Sequence, residues 1–109
     1  MPAYVIAQLQ VEDADAYNEY ARAVGPTVAP FGGRVLVAAD DADVLEGERP
    51  YSRTVIGEFP SVEAARSWYQ SPAYGAIRQL RHAASRGTVF IVEGISLAER
   101  VAPGGERPN

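Results

Sequence analysis

Cysteine and lysine are both absent from this 109-residue chain, and histidine occurs once. Without cysteine there is no disulfide, thiolate nucleophile, iron–sulfur cluster or cysteine-ligated zinc. Without lysine, Schiff-base chemistry and a Walker-type phosphate lysine are both out of reach. A single histidine excludes a two-histidine metal site within one chain. Apolar runs extend only a few residues, far short of the roughly 20 that a membrane-spanning helix needs. Net charge is −4, with ten basic residues, all arginine, against fourteen acids, which argues against nucleic acid as a partner. No glycine-rich turn joins a strand to a helix; Gly104-Gly105 lies in a polar tail without that context. These absences predict a protein with no metal and no organic cofactor.

What remains is an ordinary globular composition, 47% apolar and 22% charged, in a length that suits one domain. The opening Met-Pro-Ala-Tyr lacks a basic leader segment and reads as a mature cytoplasmic start.

Ala3 to Val11 alternates with period two: Val5, Ala7, Leu9 and Val11 on one face, Tyr4, Ile6, Gln8 and Gln10 on the other. This predicts a strand whose first face meets helices. Asp13 is a good N-cap for a helix carrying Tyr17, Tyr20, Ala21, Val24 and Val28, with a kink or break expected at Gly25-Pro26 and a stop at Gly32-Gly33. Arg34–Ala39 and Ser52–Phe59 read as hairpin strands, with Val44–Glu46 as a short accessory strand. Ser61 caps a helix bearing Ala64, Ala65, Trp68 and Tyr69, and Ser71-Pro72 restarts it with a stripe of Ala73, Ile77, Leu80 and Ala84. Arg78, Arg81, His82 and Arg86 are read on another, basic side. Gly87 is expected to end that helix, before a strand over Thr88–Ile95.

The order βαββαβ predicts an α+β, ferredoxin-like fold: a four-stranded antiparallel sheet with helices on one face. Residues 1–98 form the domain, and 99–109 are expected to be a disordered polar tail. Tyr4, Ile6, Thr54, Ile56, Val89 and Ile91 are assigned to the opposite face, which a second copy would cover, so a homodimer is expected.

Over residues 3 to 96 the sequence resembles the domain of unknown function 1330 family, within the dimeric α+β barrel superfamily. The resemblance rests on Tyr4-Val5-Ile6, Asp13 with Tyr17 and Tyr20, Gly32-Gly33-Arg34, Leu45-Glu46-Gly47 and Arg53. It continues through Glu58-Phe59-Pro60-Ser61, Ala64-Ala65, Trp68-Tyr69, Ser71-Pro72, Tyr74 and Arg78. It implies a dimeric α+β barrel. The superfamily's chemistries include cofactor-free oxygenation, cyclisation, isomerisation and haem degradation, and it also holds ligand-sensing domains. Relatives often carry an Arg-Gly-Gly turn after the second strand, where this chain has Ala38-Ala39-Asp40.

Arg34 and Arg53 begin two strands, and a guanidinium fork suits a planar oxyanion. Glu46 and Glu58 share the hairpin and can orient them or move a proton. The same four residues can equally form an ion-pair network, and both readings stand. Tyr17, Tyr74, Trp68 and Tyr69 suggest an aromatic pocket between helices and sheet, with Trp68 also read as core. Gln8, Thr54 and Glu93 are placed between facing sheets. His82 is the one side chain that ordinarily titrates near neutrality, but its basic surroundings read as a helix-terminal surface position. The function expected is a cofactor-independent enzyme acting on a small organic molecule, or a non-catalytic small-ligand or stress-associated module, with no nucleic-acid or membrane partner.

Overall fold

A computed structural model describes residues 1–96; the expected polar tail lies outside them. Strands β1 (Ala3–Val11), β2 (Arg34–Ala39), β3 (Arg53–Phe59) and β4 (Ser85–Glu93) form one sheet in the order β2-β3-β1-β4. Every neighbouring pair is antiparallel. Helices α1 (Ala14–Val28), α2 (Val62–Tyr69) and α3 (Pro72–Ala84) supply the α layer. This is the βαββαβ ferredoxin-like arrangement, with the second helical region divided at Ser71-Pro72 as expected. No helix among the described residues is long and apolar enough to cross a membrane.

The caps act as their residue types dictate. The Asp13 carboxylate accepts from the Ala16 N–H, Ser61 Oγ from Ala64, and Ser71 Oγ from Tyr74, each satisfying a donor that a helix N-terminus leaves unpaired. Gly32 closes a 3-10 turn over Ala29–Phe31 at φ 75°, in the left-handed region that glycine adopts without penalty.

Alternation in β1 holds: Ala3, Val5, Ala7 and Leu9 are buried. Val5, Ala7 and Leu9 pack with Tyr17, Tyr20, Val28, Phe59, Ala65, Trp68, Tyr74 and Ala84 into one core between sheet and helices.

Four local expectations are corrected. Helix α1 runs unbroken through Pro26: Gly25 has no Cβ to collide with the proline ring, and the Thr27 hydroxyl donates back to the Val24 carbonyl at 2.6 Å. Val44–Glu46 forms no strand; it stays in the exposed loop between β2 and β3 and pairs with neither. Gly87 does not end α3, which stops at Ala84; it sits within β4, opposite Leu9, at φ 149°. A Cβ there would run into the Gln8 carbonyl. Finally, Val89 and Ile91 pair with Ala7 and Val5 and so face the helices, whereas Phe90 and Val92 take the outer face and are each 43% exposed.

A candidate pocket between helices and sheet

The outer and inner faces of the sheet carry different chemistry, and register decides which residues each receives. Arg34 pairs with Glu58, and Glu58 with Tyr4, across the outer face. Arg34 donates from Nε and Nη2 to one Glu58 oxygen, at 3.1 and 2.9 Å, while the Tyr4 hydroxyl donates to the other at 3.1 Å. Further along the same face, Arg49 donates to the Thr54 hydroxyl, which donates to Gln8 Oε1, each at 3.2 Å. Thus Arg34, Glu58 and Gln8 stand on the sheet's outer side. Glu46 is exposed in the loop between β2 and β3, and Glu93 is exposed at the end of β4, in register with Ala3 of the inner face.

Arg53 is an odd-numbered residue of β3, like Val55 and Phe59, and pairs with the inward Leu9. Its guanidinium therefore lies on the helix side, five residues and one sheet face away from Glu58. The expected convergence of Arg34 with Arg53 does not occur. Arg53 Nε donates to the Tyr17 hydroxyl and Nη1 to Asp40 Oδ1, both at 3.1 Å. Partial burial works against its charge, but the bonds to Tyr17 and Asp40 outweigh that and hold its pKa above the usual arginine value.

Between α1 and the sheet is a cavity of about 250 Å³. Leu9, Val24, Val28, Val55, Phe59 and Trp68 contribute its apolar surface, and Tyr17, Tyr20, Tyr74, Arg53 and Arg81 its titratable groups. Among the described residues no carboxylate or histidine lines it. Ala21 of α1 and Val35 and Ala38 of β2, all exposed, lie where it reaches the surface. Tyr74, Phe59 and Leu9, each 1% exposed, close its inner end.

The titratable groups form a row. The Tyr17 and Tyr20 rings are 5.6 Å apart, the Tyr20 and Tyr74 hydroxyls 2.8 Å, and Arg81 Nε donates to the Tyr74 oxygen at 3.2 Å. Burial, then the Tyr74 hydroxyl, push the Tyr20 pKa well above its ordinary value, so the Tyr20 hydroxyl keeps its proton. Trp68 is fixed beside them: its Nε1 donates to the Thr27 hydroxyl at 3.0 Å, and its ring lies 4.1 Å from that of Tyr74.

Tyr17, Tyr74 and Trp68 therefore line the cavity. Tyr69 does not; its ring backs onto Trp68 and Tyr74 and lies under the Arg78 guanidinium. Tyr20 and Arg81, which the sequence does not single out for a site, line the cavity as well. The signal for Arg81 was its spacing: it follows Tyr74 by seven and Ile77 by four, on the helix face that packs inward. It is 7% exposed, not on the basic outer side to which it was assigned. His82 is exposed beside it. Among the described residues no cluster of His, Asp and Glu is able to hold a metal ion.

No curated protein sequence matches the chain. Solved structures do. A protein of unknown function from Rhodopseudomonas palustris, RPA0582, aligns with a TM-score of 0.72 at 22% identity, covering 87% of this chain and 83% of that one. SnoaB, a cofactor-independent oxygenase from Streptomyces nogalater, aligns with a TM-score of 0.59 at 11% identity, covering 87% and 94%. A hypothetical Arabidopsis thaliana protein gives 0.64 at 14% identity, covering 88% and 90%. At these identities the likeness is one of fold. The family model described as Domain of unknown function (DUF1330) matches residues 2–95, nearly all of the described chain, and the protein belongs to that family.

Proposed function

We propose that the protein is a cofactor-independent enzyme that binds a small, planar, largely apolar molecule in the cavity between α1 and the sheet. The reaction class is proton transfer, cyclisation, or oxygenation by molecular oxygen, passing through an enolate or phenolate. The observation that carries this reading is the cavity itself: apolar walls, with Arg53 and Tyr17 hydrogen-bonded to each other at 3.1 Å on its lining. Its volume is slightly below the ~300–1,000 Å³ of ordinary ligand pockets, which suits a molecule of one or two rings. The Tyr17 oxygen accepts from Arg53, so its own proton is available to a ligand oxygen, and the guanidinium stabilises negative charge developing there. The absence of a carboxylate or histidine from the lining favours substrates acidic enough to ionise readily. The fold shared with a cofactor-independent oxygenase supports the same reading.

That absence also favours a second reading, a binding module without turnover. Oxygen uptake or product formation with a bound phenol or enol separates the two.

The chain's single tryptophan, Trp68, lines the cavity and reports binding directly. Titration with 2-naphthol is expected to quench its fluorescence saturably, and Tyr17→Phe to weaken binding while costing about 1–2 kcal/mol of stability through the lost bond from Arg53. A wild-type protein that shows no saturable quenching by 2-naphthol at millimolar concentration overturns the reading.

The working unit proposed is a homodimer closed through the outer face of the sheet. Register sets Val37, Ile56, Ile6 and Phe90 in one row across all four strands. Phe90 and Val92 are 43% exposed and Val37 37%, an apolar band that small soluble domains seldom leave open. Phe90→Asp is expected to convert a dimer to a monomer in sedimentation equilibrium; a monomeric wild type defeats the proposal.

A further inference from the structure

The geometry points to Arg81 as a carboxylate-binding subsite, so that the ligand is a planar, mostly apolar acid. The inference rests on the cavity reading above and names the ligand class.

Arg81 is 7% exposed, and a charge that deep costs several kcal/mol unless an opposite charge or a full set of hydrogen bonds compensates it. Among the described residues no opposite charge is supplied, and the hydrogen bonding is incomplete. The bond to Tyr74 and the surrounding tyrosine oxygens favour the charge, while the nitrogens without a protein partner reach solvent. The ion pairs among the described residues are Arg34–Glu58, Arg53–Asp40 and Arg86–Glu12, none of which includes Arg81. The Arg81 side chain makes one hydrogen bond, from Nε to the Tyr74 hydroxyl at 3.2 Å. That bond is to a hydroxyl, which also hydrogen-bonds the Tyr20 hydroxyl 2.8 Å away, and not to a carboxylate. A guanidinium has five N–H donors; with Nε engaged, the two terminal nitrogens remain to take both oxygens of one carboxylate.

Arg81 lines the cavity already described and also a second one of about 400 Å³, with His82, Ser85 and Arg86. Among the described residues no acidic side chain lines either cavity. The groups facing Arg81 from α1, α2, α3 and β4 are Tyr20, Tyr69, Tyr74, His82 and Arg86, the last paired with Glu12, and none of them is a carboxylate. The field at this end of the pocket selects an anion. One planar guanidinium among apolar walls suits a singly charged carboxylate; a phosphate, with three oxygens to satisfy, would meet too few donors.

The test compares 2-naphthoate with 2-naphthol by Trp68 quenching in the wild type, Arg81→Met and Arg81→Lys. Arg81→Met is expected to weaken 2-naphthoate about ten- to a hundredfold and 2-naphthol less than about twofold. Its melting temperature is expected to change little, because methionine gives up one hydrogen bond to Tyr74 but no longer has a charge to desolvate. Arg81→Lys keeps the charge but loses the fork, and is expected to weaken 2-naphthoate selectively as well. It decides the case if the methionine variant does not fold. Equal naphthoate affinity in wild type and in the variant that folds overturns the subsite. So does inorganic phosphate displacing 2-naphthoate at lower concentration than benzoate does. If 2-naphthol binds the wild type and 2-naphthoate does not, only the subsite falls; if neither binds, the cavity reading falls with it.

Discussion

The Tyr74 hydroxyl is the hub of the buried polar row: it lies 2.8 Å from the Tyr20 hydroxyl and accepts from Arg81 Nε at 3.2 Å. Tyr74→Phe removes a partner from both neighbours at once. It is expected to cost about 2–3 kcal/mol in urea unfolding, since a hydrogen bond to a charged donor is among those lost. Tyr20→Phe removes one neutral bond and is expected to cost about 1 kcal/mol. Because the two share a bond, the double variant should lose less than the sum.

Burial first, then Tyr74, raise the Tyr20 pKa above its ordinary 10.0. The folded chain thus holds this proton more tightly than the unfolded chain. The resulting stability is complete below pH 10.0 and is lost as pH rises toward the folded value. Unfolding free energy is expected to fall on the alkaline side, with a shallower slope in Tyr20→Phe. Identical slopes for the two proteins would contradict the assigned environment.

His82 is shifted the other way. Burial, then Arg81 and Arg78, lower its pKa from 6.5. Its contribution to stability is therefore present above pH 6.5 and fades as pH falls through the folded value. As the chain's only histidine, its ring protons can be followed by NMR titration without assignment. Arg81→Met is expected to move the midpoint back toward 6.5; no movement would mean that the guanidinium is not beside the ring.

Arg34 and Arg53 are expected to separate by function. Arg34 has a side chain 72% exposed and pairs with Glu58 on the outer face. Arg34→Met should cost at most about 1 kcal/mol and leave 2-naphthol binding unchanged. Arg53→Met, on the cavity wall, should weaken that binding about ten- to a hundredfold. Equal effects of the two substitutions on binding would remove Arg53 from the site.

Gly87→Ala is expected to destabilise the fold by about 3 kcal/mol, because φ 149° disfavours a side chain and the new Cβ meets the Gln8 carbonyl. Amide exchange should accelerate first along the β1–β4 ladder. A variant as stable as wild type would show that β4 shifts register to accommodate it.

Local signals in the chain were sufficient for the element order and for most boundaries. Asp13, Ser61 and Ser71 cap helices because their short oxygen side chains reach the first free N–H groups, a relationship confined to three residues. Alternation in β1 assigns Val5, Ala7 and Leu9 to the core for a similar reason: successive strand side chains point to opposite faces. Parity within β3 even separates Arg53 from Glu58, though a reading based on their place in one hairpin brought them together.

What local signals left open depends on contacts distant in sequence. Gly87 resembles a helix stop until β1 lies beside it and the Gln8 carbonyl fills the space where its Cβ would stand. Arg81 resembles part of a basic surface until α1 brings Tyr20 against Tyr74 and buries the guanidinium behind them. The sequence by itself determined a βαββαβ fold and an aromatic-rich core, since both follow from periodicity and capping over a few residues. Only the tertiary structure decided that Arg34 belongs to the sheet's outer face and Arg53 and Arg81 to the cavity, because strand register and helix packing choose the face on which each charge is left.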